Sequence, residues 1–225
     1  MTTAEFDNEF DVMYDTASFG APALNSYEKS LFLTQAIRDI IDELYSVYDS
    51  SEYSKRALNP LIVEREQILV DDSDYYNGMV VQKTTLPTEL YYLLQENVES
   101  KNTCDTEVEV IPMDLDKLNK AMRNPFKKPN KRKVLRTSIG GNDVRLYSTD
   151  GLDNYKIKYL KKYTPIILTD FTTDTELVGD ETIDGQNSEQ NTELPVFLHD
   201  KIVKRGVILA IKSLRENNLK TQIEV

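Results

Sequence analysis

The chain has 225 residues, 40% hydrophobic and 29% charged, which is enough apolar material for a sizeable core and excludes wholesale disorder. Its net charge of −11 is unevenly spread: Lys117 to Tyr163 holds 14 Lys/Arg against three Asp, so that window carries +11 and the remainder −22. A lone cysteine, Cys104, excludes a disulfide-stapled scaffold, and with no apolar run near about 18 residues and no basic-then-apolar start, neither a membrane span nor a targeting signal is expected.

From about Thr3 to Ser18, Phe6, Phe10, Met13, Tyr14 and Ala17 recur at helical spacing with acids between them, which predicts an amphipathic helix. Gly20 as a left-handed cap and Pro22 as a breaker end it. Asn25, with Glu28 three residues on, has the spacing of a capping box. It starts a second helix with the stripe Leu33, Ile37, Ile40, Ile41, Leu44, Tyr45 and Tyr48, long enough to need a lengthwise helical partner. Asn59 to Val70 fits a strand or a short helix.

Between about Asp72 and Phe171 the apolar period shortens to two. Met79 to Val81, Val108 to Ile111, Lys133 to Arg136, Val144 to Tyr147, Tyr155 to Tyr159 and Pro165 to Leu168 read as short strands, and Gly140-Gly141-Asn142 reads as a hairpin turn. Within this region Leu86 to Glu99 has a helical composition, and Asp114 is placed to cap a short helix holding Leu115, Leu118 and Met122. The acidic, Thr/Asn/Gln-rich stretch 172–193 has little to bury and reads as a solvated loop or hairpin tip. Pro195 suits the first turn of a last helix, with Leu198, Ile202, Gly206, Leu209 and Ser213 along one side.

These elements predict an α+β fold: a helical layer built from both chain ends, with an inserted antiparallel, β-rich and basic region. The expected organisation is an N-terminal helical segment (residues 1–70), the insertion (71–171), the acidic loop (172–193) and a closing helix (194–225).

The ingredients of most enzyme sites are scarce. With one histidine, His199, and one distant cysteine, Cys/His zinc spacing is impossible, and His199 is expected on a helix surface or at an interface. No Gly-x-Ser-x-Gly elbow, no phosphate-cradling Gly-rich loop and no GxGxxG occurs. Asp71, Asp72 and Asp74 suggest a calcium loop only superficially, because Gly78 is misplaced and Gln82 stands where a closing Glu belongs. No catalytic residue, cofactor or metal is therefore assigned.

What remains is electrostatic. The run KLNKAMRNPFKKPNKRKVLR has nine Lys/Arg in 20 residues, no acid, and Phe126 interleaved. Lys127, Lys128, Lys131, Arg132 and Lys133 are the candidate residues for facing a partner: the acidic surface of a neighbouring subunit, which the acidic remainder of the chain favours, or the phosphates of DNA. Pro125 and Pro129 stiffen this arm. Thirteen tyrosines and no tryptophan suit surfaces that become interfaces, although compositional bias accounts for them equally well.

Three stretches carry a resemblance. FDNEFDVMYDTASFGAPALNSYEKSLFLTQAIRDIIDELY opens the chain, NPFKKPNKRKVLR followed by YKIKYLKKYTPIIL lies in its middle, and ELPVFLHDKIVKRGVILAI lies near its end. They are similar to the opening, strand-pair and closing-helix motifs of the head-to-tail ring proteins of crAss-like, short-tailed bacteriophages. Two positions depart from that pattern: Tyr163-Thr164 precedes Pro165 where a basic residue is usual, and Gly206 replaces Ala.

The resemblance implies a non-enzymatic virion protein of the neck or tail, assembled in the host cytoplasm. It would form a homo-oligomeric ring, a dodecamer, that bridges the portal to other tail ring or hub proteins around the DNA ejection channel. It implies no cofactor and no membrane partner, and leaves non-specific contact with packaged DNA as the alternative use of 117–163.

Overall fold

Capping boxes start both N-terminal helices. Thr2 Oγ1 accepts from the Glu5 amide and Asn25 Oδ1 from the Glu28 amide, while each glutamate reaches back to its cap. In this computed structural model, which describes residues 1–18, 21–72, 78–101, 107–172 and 181–223, the chain forms two units: Met1–Leu61 with Tyr163–Val225, and Ile62–Lys162. Gly20, Cys104, Asp74 and residues 173–180 of the acidic loop lie outside the described residues.

The first unit is helical. It contains α1 (Thr3–Ala17), α2 (Ser26–Ser46), α3 (Glu52–Leu58) and α5 (His199–Ile223), with 3-10 turns at Asn59–Leu61 and Val196–Leu198. The predicted stripes are the buried ones: Phe6, Phe10 and Tyr14 on α1, and Leu33, Ile37, Ile40, Ile41 and Leu44 on α2. Both helices pack on α5, whose buried face is Ile202, Val203, Gly206, Val207 and Ala210, while Leu209 is only half-buried. Gly206 has a steric reason there. A Cβ on it would stand 3.3 Å from both Leu33 and Phe10, so the helices meet closer than a larger residue permits.

Lys29 of α2 fixes α1 by charge, its ammonium lying 2.8 Å from Asp7 Oδ1 and 2.7 Å from Asp11 Oδ2. Burial opposes the charged form of Lys29, yet the two carboxylates hold its pKa above the ordinary lysine value.

Three expectations change in this unit. Pro165 to Leu168 is not a strand but an extended segment with a single bridge between Ile167 and Gln190. Its amides are held by α2 hydroxyls: Ile166 N–H donates to Thr34 Oγ1 (3.2 Å) and Leu168 N–H to Ser30 Oγ (3.0 Å). Pro195 caps the Val196–Leu198 turn, and α5 begins four residues later than it.

His199, expected at the surface, is buried beside the Phe6 ring at 5.0 Å. Its Nε2 donates to Leu194 O (3.0 Å), which leaves Nδ1 to accept from the Met1 nitrogen at 2.9 Å. Burial, with the Met1 ammonium adding to it, holds the imidazole below its ordinary pKa, against the pull of Leu194 O and Asp200. A depressed histidine pKa contributes stability that is present above the unfolded value and lost as pH falls through the folded one. Urea midpoints should therefore drop between about pH 7.5 and about pH 5.5, more steeply in the wild type than in His199→Gln. Parallel slopes for the two proteins would refute the assignment.

The second unit is an eight-stranded sheet plus one helix. Its strands are β1 (Ile62–Ile68), β2 (Val70–Asp71), β3 (Val80–Thr85), β4 (Leu90–Ser100), β5 (Glu107–Pro112), β6 (Lys133–Gly140), β7 (Asp143–Ser148) and β8 (Leu152–Lys161), with α4 (Leu115–Arg123) between β5 and β6. The order is β1-β8-β4-β5-β6-β7-β3-β2. All pairs are antiparallel except β5 with β6, which α4 joins as a crossover. Gly140 (φ 145°) and Gly141 (φ 55°) make the predicted hairpin turn, a backbone path that disfavours side chains with a Cβ.

The open alternative at 59–70 resolves as a 3-10 turn running into β1. Leu86 to Glu99, read as helical, is instead largely β4, a central strand between β8 and β5 with three register shifts. Tyr91, Tyr92 and Val98 suit a sheet, and pairing on both edges outweighs the helical leaning of its Leu, Gln and Glu.

Tyr155, Ile157 and Tyr159 of β8 pack with Val98, Val108, Val134, Val144 and Leu146 on one face of the sheet. On the other, Leu118, Ala121 and Met122 of α4 cover Val81, Leu135 and Tyr147. Leu115, expected to join them, is exposed, and Asp114 makes no side-chain cap bond but pairs with Lys117. The fold is α+β, helical at both chain ends with the β-rich region between.

Candidate functional site

Where α4 ends, the chain must turn back to start β6, and two asparagines build that turn. Asn124 Oδ1 accepts the Phe126 amide (2.9 Å), and its carbonyl accepts the amides of Lys127 (3.0 Å) and Lys128 (2.9 Å). Asn130 repeats the pattern, taking the Arg132 amide on Oδ1 (2.9 Å) and exchanging two backbone bonds with Lys133 (3.0 and 3.1 Å). Pro129 is buried beneath. The backbone of this knuckle is therefore tied by its own bonds while its side chains point outward.

Lys127, Lys128, Lys131 and Arg132 are exposed, and Lys133 is half-buried as the first residue of β6. None of the five forms an ion pair with a described residue. Phe126 stands among them at 89% exposure, a costly position for an apolar ring unless something covers it. The structure thus brings all five candidates to one short stretch, with an aromatic at its tip.

The remainder of the basic window behaves differently. Lys158 lies 3.4 Å from Glu64 and Lys156 2.5 Å from Glu99, so the outward lysines of β8 are matched by acids on β1 and β4. Arg145 lies 3.1 Å from Asp72, and Lys117 pairs with Asp114. Arg136 Nε lies 2.7 Å from Glu96 Oε1, an ion pair too bent to be a hydrogen bond, with side chains only 13% and 7% exposed.

Tyr155 Oη donates to the same Glu96 carboxylate. Burial raises the Glu96 pKa above the usual carboxylate range despite both partners, and burial beside that carboxylate pushes the Tyr155 phenol up. Tyr159, buried and donating to Glu89 at 2.7 Å, is likewise pushed up, to about 12.

Counted over the whole second unit, 17 Lys/Arg meet 16 Asp/Glu, while the first unit has 10 against 22 and carries −12. The charge segregation read from the sequence survives, but among the described residues most of the cations of 117–163 that lack an ion pair lie at Lys120, Arg123 and the knuckle. Sequence reasoning missed this internal matching. Its signal was the alternation of Glu64 and Glu66 in β1 with the period of Lys156 and Lys158 in β8.

The tyrosines also resolve differently. Tyr14, Tyr147, Tyr155 and Tyr159 are buried, several with hydroxyls on partners, and Tyr53 stacks openly near Phe197 (5.5 Å between centroids). Gln82, weighed as a failed calcium ligand, is a buried clamp: its amide bonds Asp71 Oδ1 (2.8 Å) and both backbone groups of Leu152 (2.8 and 3.1 Å).

Among the described residues no group of three or more His, Cys, Asp or Glu could hold a metal, and no helix is long and apolar enough to cross a membrane. A stiff cationic knuckle with an aromatic tip can grip carboxylates or phosphates and has no group placed for bond-breaking chemistry.

Comparison with known proteins decides the family. The family model described as phage tail ring protein 3/4 matches residues 1–222, nearly the whole chain and both units. The chain belongs to the phage tail ring protein 3/4 family. Among its relatives, it is 29% identical over 240 residues to Ring protein 4/5 of Bacteroides phage crAss001, the match covering 100% of this chain and 98% of that one. It is 30% identical over 237 residues to Ring protein 3 of the same phage, covering 95% and 96%. Members of this family are structural ring proteins of phage tails, so this chain is a ring-forming structural component of a virion.

Proposed function

We propose that this tail ring protein is a head-to-tail connector: a subunit of a closed homo-oligomeric ring, a dodecamer, bridging the portal side to the tail rings around an open DNA channel. It does so without catalysis, and it assembles in the host cytoplasm. The single observation that carries the reading is the opposition between a hydrogen-bonded knuckle of cations that pair with no described residue (Lys127, Lys128, Lys131, Arg132, Lys133) and a helical unit of net charge −12. Ring contacts are heterologous, so each copy needs two different surfaces that fit each other, and opposite charge supplies some of that fit. The knuckle's bonds reduce the entropy lost on docking, and Phe126 adds a central apolar anchor among charges.

Duplex DNA in the channel is the second reading, favoured by the same exposed cations. The two separate under one experiment. In a variant with all five residues changed to Gln, contact with an acidic neighbour predicts ring assembly weakened by about tenfold to a hundredfold, since exposed pairs contribute about 0.2–1 kcal/mol each. Light scattering across a salt series checks this, and the variant should also lose salt sensitivity. Unchanged assembly, with loss of a steeply salt-dependent affinity for duplex DNA, would transfer the knuckle to DNA instead.

A further inference from the structure

β1 and β2 follow one another in the chain with only Leu69 between them, yet they sit at opposite ends of the strand order. The sheet therefore comes round on itself, and the 62–71 segment is shared between its two ends: Ile62–Ile68 pairs with β8, and Val70–Asp71 pairs with β3. Gln82, bonded to Asp71 and Leu152, clamps the closure at that point.

Beyond the clamp the closure is incomplete. The β2–β3 register pairs Val70 with Lys83, and continuing it would set Ile68 opposite Thr85, but at Ile68 the strand has crossed to Asn154 of β8. Among the described residues one edge of β1 is thus unpaired, and so is the facing edge of β3 past Lys83. The Asp72 amide bonds Val81 O, and alternate residues of a strand face the same side, so the Thr85 backbone groups also face this seam. The Leu86 amide, one residue on, points the other way to Asn142 O.

A groove of about 700 Å³ occupies the seam, lined by Glu66, Ile68, Val70, Lys83, Thr85 and Ile139 among others. Ile68 is 85% exposed and Val70 and Ile139 are also open to solvent. Proteins normally blunt an exposed strand edge with charge, proline or cover, because it templates pairing with another chain. Glu64, Arg65 and Glu66 protect part of β1 in that way, while Ile68 at its end is apolar on the open edge, with the apolar side chain of Val70 just beyond it.

We propose that this seam is a strand-receiving slot, occupied in the assembled ring by an extended segment of a second copy of this chain that hydrogen-bonds to the β1 and β3 edges and covers Ile68, Val70 and Ile139. The choice of occupant rests on the ring reading, in which the next copy is the partner always at hand. Of the charged groups lining the groove, Glu66, Asp143 and Arg145 each meet a partner (Lys156, Thr85 and Asp72), whereas Lys83 makes no ion pair with a described residue, which suits it to an acidic group of the neighbouring copy. Backbone pairing supplies affinity in such additions, and the pockets beside the edges supply selectivity.

Hydrogen–deuterium exchange on the full chain, dilute and then assembled, tests it. The seam-facing amides, that of Thr85 and the alternate ones of 62–68 that point away from β8, should exchange at least about tenfold more slowly in the ring. Thr85→Pro removes an amide that faces only the seam and leaves the β7 pairing in place, so it should assemble about tenfold more weakly, while Thr85→Ala, which keeps the amide, assembles normally. Rings that form with the seam exchanging as fast as in the monomer overturn the slot and leave the ring reading standing. A chain that stays monomeric at every concentration overturns both. Should Thr85→Pro fail to fold, the exchange comparison on the unsubstituted chain decides alone.

Discussion

Glu96→Ala is expected to destabilise the β-rich unit by about 3 kcal/mol or more, the lower end of what breaking a buried ion pair costs. The carboxylate has two dependants. Arg136 would keep its guanidinium, only 13% exposed, without a counter-charge, and the Tyr155 hydroxyl, inside the sheet's core, would lose its acceptor. Most of the loss comes from what is left behind rather than from the attraction itself, because desolvating the pair already consumes much of the Coulomb energy. The double variant Glu96→Ala with Arg136→Met should therefore recover most of the stability. Chemical denaturation of the single and double variants checks this, and equal losses in the two would show that the orphaned guanidinium is not what costs the stability.

Phe10→Ala should cost about 3–5 kcal/mol, the range for deleting a buried aromatic ring from a packed core. The ring is fully buried where three helices converge: it stacks on Tyr14 at 6.1 Å and lies against the backbone gap left by Gly206 on α5. Gly206 has no side chain to relax into the space from α5, which favours a cavity that closes only in part. Since α1 and α2 both rest on α5, helical content and near-ultraviolet signal from the tyrosines should fall in a single transition at lower denaturant. A variant as stable as the parent would show that α1 is an accessory to this unit rather than a member of its core.

The elements that were legible in the sequence are those whose local and tertiary preferences agree. Asn25 and Glu28 announce a helix start that no packing needs to enforce, and Tyr155 to Tyr159 alternates so strictly that only a strand buries its rings while turning the half-buried Lys156 and Lys158 to the other face. Legibility fails where distant partners decide. Leu90 to Ser100 has residues acceptable to either conformation, and what makes it a strand is β8 and β5 on its edges, neither visible from its own composition. Ile166 to Leu168 has a strand's residues but meets hydroxyls instead of a neighbouring strand. The readable trace was on the other partner, since Ser30 and Thr34 sit four apart on the face of α2 that is otherwise apolar.

For the candidate surface, the residue types were legible and their availability was not. Nothing in the run from Lys117 to Tyr163 distinguishes Lys128, which is exposed and pairs with no described residue, from Lys156, which Glu99 neutralises across the sheet. That distinction exists only once register is set, as does the position of Phe126 at the tip of a turn whose bonds come from Asn124 and Asn130. His199 was misplaced for a related reason: its burial depends on Leu194 O and on Phe6 from the far end of the chain.

Cryo-electron microscopy of the intact particle bears most directly on the claim that identical copies of this polypeptide close around a passage. The expected density is a closed circle of copies in the neck or tail, each presenting residues 124–133 to the acidic helices of the next, with open space along the axis. Copies scattered singly on the tail, or strung into an unclosed helix with the knuckle facing solvent, would contradict it.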